Sequence, residues 1–361
     1  MSDQDYMQMA MRLALRAQGK TSPNPMVGAV IVKNGKIISQ GFHRSCGSDH
    51  AEIVALKNAQ ANVKGATLYV TLEPCGHYGR TPPCVDAIIA SGIKKVVVGT
   101  RDPNPVNNGA SIRKLNRAGI KTVVGVLQEE LQKLNEPFFK FIQDKRPLIV
   151  IKWAQTLDGK IATATGSSKW ITSEKTRKFS HKLRDQFDAI LVGINTVIKD
   201  DPFLNGVSAS KKLKKIIIDP HLLVPLRANI FRNVAQGQVI IVTSRSSDKI
   251  KARSLEKRGV LVVSCPRIGT SLDLRFLFEE LGRRNMVNVL VEGGSRTIGK
   301  IIDQRLADRA LIFIAPKLIG DQGALSAVNG MRVKDVSSAL RLKNVTTRPI
   351  GEDILVEGYF N

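Results

Sequence analysis

The sequence predicts an α/β protein made of two successive domains, and three observations carry that expectation. At 361 residues the chain exceeds one typical domain. Short Val- and Ile-rich runs alternate with stretches of helical periodicity along its length. The alternation is interrupted near the middle by the polar stretch QDKRP, ending in Pro147, a composition that marks a linker. The expected domains are therefore 1–145 and 146–361.

In the first half, residues 6–18 read as a helix with Met7, Met11, Ala14 and Leu15 on one face. After the turn TSPNP, MVGAVIV and KIISQGF flank Asn34-Gly35, the strongest short hairpin signal. Residues 50–61 read as a helix, ATLYVTL as a strand, and 85–91 as a helix closed by Gly92. KKVVVGT and KTVVGV are strands around a helix at 110–118, and a helix at 127–142 leads into the linker. A hairpin followed by strand–helix alternation predicts a mixed sheet between helical layers.

The second half repeats the style but not the sequence. PLIVIKWA, AILVGI, KKIIIDP, QVIIVTS, VLVVSC, NVLVEGG and ALIFIAP are the strand candidates, and 174–187, 249–258, 274–284 and 295–306 the helices. Helices between strands predict a mainly parallel sheet. No GxGxxG fingerprint is present, which argues against an ordinary dinucleotide-binding domain. VEGGSRT is a strand, two glycines and a helix start, whose backbone amides suit a phosphate; a simple tight turn explains the same letters.

Composition narrows the class. No run approaches the ~18 apolar residues that would cross a membrane, and the opening residues lack the basic region of a secretory signal, so a cytoplasmic protein is expected. The chain carries 55 Lys+Arg against 31 Asp+Glu, a formal charge of +24. That excess is spread along both halves, apart from Lys211, Lys212, Lys214 and Lys215. A diffuse positive field suits a phosphorylated metabolite as well as nucleic acid.

The chemistry-bearing cluster lies in the first half. His50-Ala51-Glu52 opens a helix, Glu73-Pro74-Cys75 ends a strand, and Cys84 precedes another helix. One His and two Cys meet the ligand count of a catalytic zinc, which keeps one position for water and acidifies it toward ~7. Glu52, two residues beyond His50, is placed to take the water proton and hand it to departing ammonia. This is the general signature of zinc nucleobase deaminases. The alternative is a structural zinc, with Cys46 or His77 as the fourth ligand. Eight residues separate Cys75 from Cys84, where the usual spacing is Cys-x-x-Cys, and they bring His77 and Arg80 beside the metal, a pair suited to an anion such as phosphate.

With PNPMVGAVIV, GFHRSCGSDHAE, YVTLEPCGHYGRTPPC and TRDPNP in the first half, and IKWAQTLDGKIA, SKWITS, DDP and VEGG in the second, the chain resembles the bifunctional riboflavin-biosynthesis deaminase–reductases over essentially its whole length. The resemblance implies a cytidine-deaminase-like three-layer domain followed by a dihydrofolate-reductase-like domain, a phosphorylated pyrimidine ribotide as substrate, Zn2+ and NADPH as cofactors, and a homo-oligomer. It implies that Asn24, His43, His77, Arg80, Asp102 and Asn104 contact the deaminase substrate. Lys152, Ser168, Thr172, Arg184, Leu204, Val207 and Glu292 would face the reductase substrate. Ala154, Trp170, Thr196, Asp200 and the turn Gly293, Gly294, Ser295, Arg296 and Thr297 would face NADPH. Read without it, Asn24, Asp102 and Asn104 are turn formers beside proline, and Arg184 is a solvated charge.

Two positions depart from the pattern. Asp49 stands where the family has proline, a change expected to alter loop stiffness only. Val207 stands where the family has a substrate-contacting arginine; either another cation, from the Lys211–Lys215 cluster, substitutes for it, or the reductase is weakened. The competing reading is a nucleic-acid adenosine or cytidine deaminase with an accessory domain, which shares the zinc signature and suits the charge. The long Cys–Cys spacing and the reductase motifs stand against it.

Overall fold

The structure is a computed structural model that describes residues 1–78, 82–208, 213–232, 235, 237–331 and 333–360. It divides into two compact units, Met1–Lys145 and Arg146–Asn361.

The first unit runs α1 (Asp3–Leu15), β1 (Gly28–Lys33), β2 (Lys36–Phe42), α2 (Ala51–Lys57), β3 (Thr67–Leu72), α3 (Cys84–Ala90), β4 (Lys95–Thr100), α4 (Ala110–Arg117), β5 (Lys121–Val124), α5 (Gln128–Leu134) and α6 (Glu136–Asp144). Its sheet has the order β2-β1-β3-β4-β5. β1 is antiparallel to β2 and β3, while β3, β4 and β5 are parallel. Asn34 and Gly35 both take positive φ, 50° and 72°, as a tight hairpin turn requires. Alternate residues of β1 serve opposite faces. Ala29 and Ile31 pack with Ala51, Ala55, Val85, Ile88 and Leu115 of α2, α3 and α4. Val30 and Val32 pack with Tyr6, Met7 and Ala10 of α1 and Leu131 of α5. The result is a sheet between two helical layers.

Several helix boundaries differ from the sequence reading, two of them for visible reasons. α1 begins at Asp3 because Ser2 and Asp5 form a reciprocal cap, Asp5 N–H donating to Ser2 Oγ at 3.2 Å and Ser2 N–H to Asp5 Oδ2 at 2.7 Å. The helix expected over 127–142 is two helices broken at Asn135. There the amide side chain holds Met26 by both backbone groups, accepting from its N–H at 2.8 Å and donating to its C=O at 2.9 Å. Pro137 follows in the first turn of α6, where proline is tolerated.

The second unit contains β6 (Leu148–Thr156), β7 (Lys160–Ala162), α7 (Glu174–Arg184), β8 (Ala189–Gly193), α8 (Ile194–Asp200), β9 (Lys214–Ile218), β10 (Val239–Ser244), α9 (Lys249–Lys257), β11 (Leu261–Cys265), β12 (Arg267–Ile268), β13 (Ser271–Leu272), α10 (Leu274–Arg283), β14 (Asn288–Glu292), α11 (Ser295–Asp303), β15 (Arg309–Ala315), β16 (Leu325–Ser326), β17 (Lys343–Ile350) and β18 (Asp353–Tyr359). Nine strands form one sheet in the order β11-β10-β9-β8-β14-β6-β15-β18-β17. From β11 to β15 every neighbouring pair is parallel; β18 and β17 close the edge antiparallel. One face packs Val150, Ile190, Ile217 and Ile241, the other Ile151, Leu191, Ile216 and Ile240. The strands are apolar on both faces, as parallel strands buried between helices must be. Among the described residues no helix is long and apolar enough to cross a membrane.

Candidate active site

Parallel pairing fixes the first site. Leu72 of β3 lies in register with Thr100 of β4, so the segments just beyond them, 73–77 and 101–109, emerge side by side at the carboxyl ends of the strands. His50 caps the N-terminus of α2 with extended backbone, and Cys84 is the first residue of α3. These elements bring His50, Cys75 and Cys84 together, with their ligand atoms all within 4.8 Å of one another. His50 Nδ1 is 3.2 Å from Cys84 Sγ and 3.5 Å from Cys75 Sγ. Tetrahedral zinc with N and S ligands sets them roughly 3.5 Å apart, so the donor set fits that metal in number, type and spacing. Neither Cys46 nor His77 joins the cluster, which leaves a three-ligand set suited to catalysis.

The electrostatics agree with a metal centre. A hydrogen bond from the Cys84 side chain, with others from His50 and the Cys84 backbone, holds the Cys75 thiol down to about 4. The same proton, retained on Cys84 and reinforced by burial, raises that thiol; a cation between the two would displace it. Glu52, on the first turn of α2, is 3% exposed, and burial pushes its carboxyl up to about 7.

His43 lies edge-on to His50, ring centroids 5.4 Å apart. With Nδ1 donating to Asp49 C=O at 3.1 Å, its Nε2 accepts from Asn24 Nδ2 at 3.1 Å. Burial lowers the His43 pKa, which favours this neutral form. Asp49 pairs its carboxylate with the exposed Lys57 at 2.7 Å. Asp102 is buried, and burial raises its carboxyl. Its Oδ1 accepts from Asn104 N–H at 2.9 Å and its Oδ2 from Asn107 Nδ2 at 3.1 Å. Asn104 accepts from Val106 N–H at 3.2 Å, so the loop is both a turn and a buried polar wall. His77 Nδ1 is buried with no partner among the described residues. Arg80 lies outside the described residues.

In the second unit a cleft of about 930 Å³ opens at the carboxyl ends of β8, β9, β14 and β6. Lys152, Ala154, Ser168, Arg184, Thr196, Asp200, Leu204, Glu292 and 293–297 all line it. Trp170, Thr172 and Val207 are not among its lining residues. Trp170 is exposed, carries Arg177 stacked 4.3 Å over its ring and accepts from Lys317 Nζ at its carbonyl. Thr172 is buried and its carbonyl accepts from Arg177. Val207 is 65% exposed and its N–H donates to Asp185. The lysine cluster is corrected in part: Lys215 is buried within β9, between Ile190 and Val239 of the neighbouring strands, and is absent from the cleft wall. Lys211 and Lys212 lie outside the described residues. Lys199, Asn195 and Lys300 also line the cleft; they went unnoticed because only the docking of α8 and α11 against the strand ends identifies them.

At the cleft floor Glu292 and Lys152 are register partners on adjacent strands. Arg184 Nε and Nη2 donate to the two Glu292 oxygens at 3.0 and 2.7 Å, and its Nη1 donates to Asn205 C=O. Burial works to raise the Glu292 carboxyl, but Lys152 and Arg184 prevail and hold it down to about 2. Directly after it, Gly293 and Gly294 take φ of 84° and 80° and lead into α11 with no side-chain cap. The first-turn amides are thus left to accept an anion. A Cβ on either glycine would approach the hydroxyls of Thr196 or Thr297 at 3.4–3.5 Å. A bare turn in a cleft also lined by Lys199, Arg296 and Lys300 fits a phosphorylated nucleotide.

A deaminase-type metal centre on one α/β unit and an anion-ready cleft on another define a two-domain enzyme with two separate sites. Residues 1–100 match the family described as cytidine and deoxycytidylate deaminase zinc-binding region, and 147–356 match the RibD C-terminal domain. The chain belongs to the riboflavin biosynthesis protein RibD family. It is 46% identical to the RibD of Aquifex aeolicus, covering 98% of this chain and 97% of that one, and 36% identical to that of Escherichia coli, covering 98% of each. A solved Thermotoga maritima structure, described as a diaminohydroxyphosphoribosylaminopyrimidine deaminase and 5-amino-6-(5-phosphoribosylamino)uracil reductase, superposes with a TM-score of 0.87 at 38% identity over 99% of both chains. The family is bifunctional, with a zinc-binding deaminase domain and a reductase domain, which sets aside the nucleic-acid deaminase.

Proposed function

We propose that residues 1–145 deaminate 2,5-diamino-6-(5-phosphoribosylamino)pyrimidin-4(3H)-one and that residues 146–361 reduce the ribosyl group of the resulting 5-amino-6-(5-phosphoribosylamino)uracil to ribityl with NADPH. The observation that carries this reading is buried Glu52 against the His50–Cys75–Cys84 cluster, in a chain whose second unit holds a separate glycine-rimmed cleft.

His50 Nδ1, Cys75 Sγ and Cys84 Sγ would hold a zinc ion, which when bound would supply Lewis-acid activation of water near neutral pH. Glu52 takes a proton at its carboxylate from the attacking water and returns it to the departing nitrogen, so that water and the ring amine become a ring carbonyl and ammonia. Burial raises the Glu52 carboxyl above its ordinary value, which strengthens it as a proton acceptor. Asn24, His43, Asp102 and Asn104 read the pyrimidine edge, and His77 and Arg80 receive the phosphorylated arm. Asn24 is oriented for this by its bond to His43.

NADPH supplies the hydride. The amides of 293–297 would hold its phosphates, with Ala154, Thr196 and Asp200 at its other contacts. Lys152, Ser168, Arg184, Leu204 and Glu292 form the sugar-phosphate side. Arg184 is already forked onto Glu292, so its part is to fix that carboxylate, leaving Lys152 to meet the phosphate. The protein on this reading is a cytoplasmic homo-oligomer that binds a pyrimidine ribotide and no nucleic acid.

The test supplies the diaminopyrimidine ribotide with and without NADPH. Ammonia release that needs zinc but no nucleotide, followed by NADPH oxidation, is expected. NADPH oxidation with no prior ammonia release, or base conversion in tRNA with tight salt-dependent binding, overturns the reading.

A further inference from the structure

Asn107 is fully buried and belongs to no pattern in the sequence, yet its amide uses its whole hydrogen-bonding capacity at the metal centre. Oδ1 accepts from Gly76 N–H at 3.0 Å and from Ser111 Oγ at 2.6 Å. Nδ2 donates to Pro74 C=O at 3.1 Å and to Asp102 Oδ2 at 3.1 Å. The first and third of these bonds bracket Cys75, one on each side. The fourth turns the Asp102 carboxylate.

The approach is close enough to restrict its neighbours. A Cβ on Gly76 would meet Ser111 Oγ at 2.6 Å and Asn107 Oδ1 at 3.2 Å, so the Cys75 loop is pressed against this amide. Glu73 adds a parallel tie, its Oε2 accepting from Asp102 N–H at 3.3 Å and Gly109 N–H at 2.9 Å. Only a side chain with an acceptor on one branch and two donor hydrogens on the other satisfies all four partners. Aspartate, of the same shape, would point an acceptor at two acceptors.

The geometry points to Asn107 as a positioning residue that locks the loop of Cys75 to Asp102, so that metal retention and substrate recognition depend on one amide. This rests on the proposed deaminase reading, in which Asp102 reads the pyrimidine. Outer-sphere partners of metal sites act in this way, orienting a ligand they do not replace.

The experiment compares full-length Asn107→Ala, Asn107→Asp and Ser111→Ala with wild type. Zinc transfer to the chelator pyridylazo-resorcinol is followed, together with kcat and KM for deamination at saturating zinc. Reduction of supplied deaminated intermediate serves as the control for an intact chain. Zinc release should quicken roughly 10–100-fold in Asn107→Ala, and KM should rise about tenfold, more than kcat falls, with reduction unchanged. Asn107→Asp should be no better than Asn107→Ala, whereas a space-filling role predicts behaviour close to wild type. Ser111→Ala, which removes one buttress only, should shift both readouts a few-fold in the same direction, and decides the matter if the Asn107 variants lose both activities together. Failure of either zinc release or KM to change overturns the proposal, as does a wild-type-like Asn107→Asp. If wild type releases no ammonia, the deaminase reading itself has failed; unchanged zinc release in the variants would then separately refute the clamp.

Discussion

Arg184 holds Glu292 in a two-pronged grip, Nε to Oε1 at 3.0 Å and Nη2 to Oε2 at 2.7 Å, with the side chains 13% and 10% exposed. A paired and forked charge at this depth is stable only while both halves are present. Glu292→Gln would leave the largely covered Arg184, with Lys152 beside it, without a counter-charge. The expected loss is about 3–5 kcal/mol, read as a fall of roughly 10 °C in the melting temperature.

The same pair sets an acid limit. The folded-state carboxyl is held down to about 2, below its ordinary 4.5. A depressed acid stabilises the fold fully above its ordinary value and loses that contribution as pH falls through the folded one. The gap in melting temperature between wild type and Glu292→Gln should therefore be constant above about pH 5 and shrink as pH falls toward 2. A gap that widens with acid would contradict this assignment.

Glu52→Gln keeps the shape of the deaminase site and removes its proton carrier. Ammonia release should fall roughly 10²–10⁴-fold. Metal analysis should still find zinc, since Glu52 is not part of the three-ligand cluster, and reduction of supplied intermediate should continue. Parallel loss of both activities would refute separate sites.

Chelation divides the two activities in the other direction. Stripping zinc leaves Cys75 and Cys84 contesting one proton at close range, and the first unit should lose thermal stability along with deamination. Metal-free protein should still oxidise NADPH when given the deaminated intermediate. Adding zinc back should restore ammonia release.

Gly293→Ala tests the cradle. At φ 84° an L side chain is strained by about 1–2 kcal/mol, and the new methyl faces Thr196 Oγ1 at 3.5 Å. KM for NADPH should rise several-fold while deamination is untouched. Fluorescence titration with NADPH checks the binding step directly.

What the sequence made legible was whatever short spacing encodes. Asn34-Gly35 specified its hairpin, and His50 and Glu52, two positions apart, already formed an acid beside a metal ligand. The break at Asn135 was hidden because its cause is Met26, 109 residues away, although Pro137 was a visible warning. β17 and β18 went unassigned: β17 is exposed along nearly its whole length, so it lacks the apolar alternation that marks a strand. Asp102 and Asn104 were ambiguous between turn formers and contacts, and the loop is both, since the bonds that shape the turn also bury the carboxylate. Trp170, Thr172 and Val207 are not among the cleft's lining residues, and motif order carries no information about which way a loop side chain turns.

Glu292 ends β14, and Gly293 begins the turn that follows it. The carboxylate assigned to the sugar and the amides assigned to the nucleotide are thus neighbours in the chain, on a strand clamped between β8 and β6. One peptide bond therefore joins the two halves of the cleft, and inserting a single residue there should disturb sugar and nucleotide contacts together.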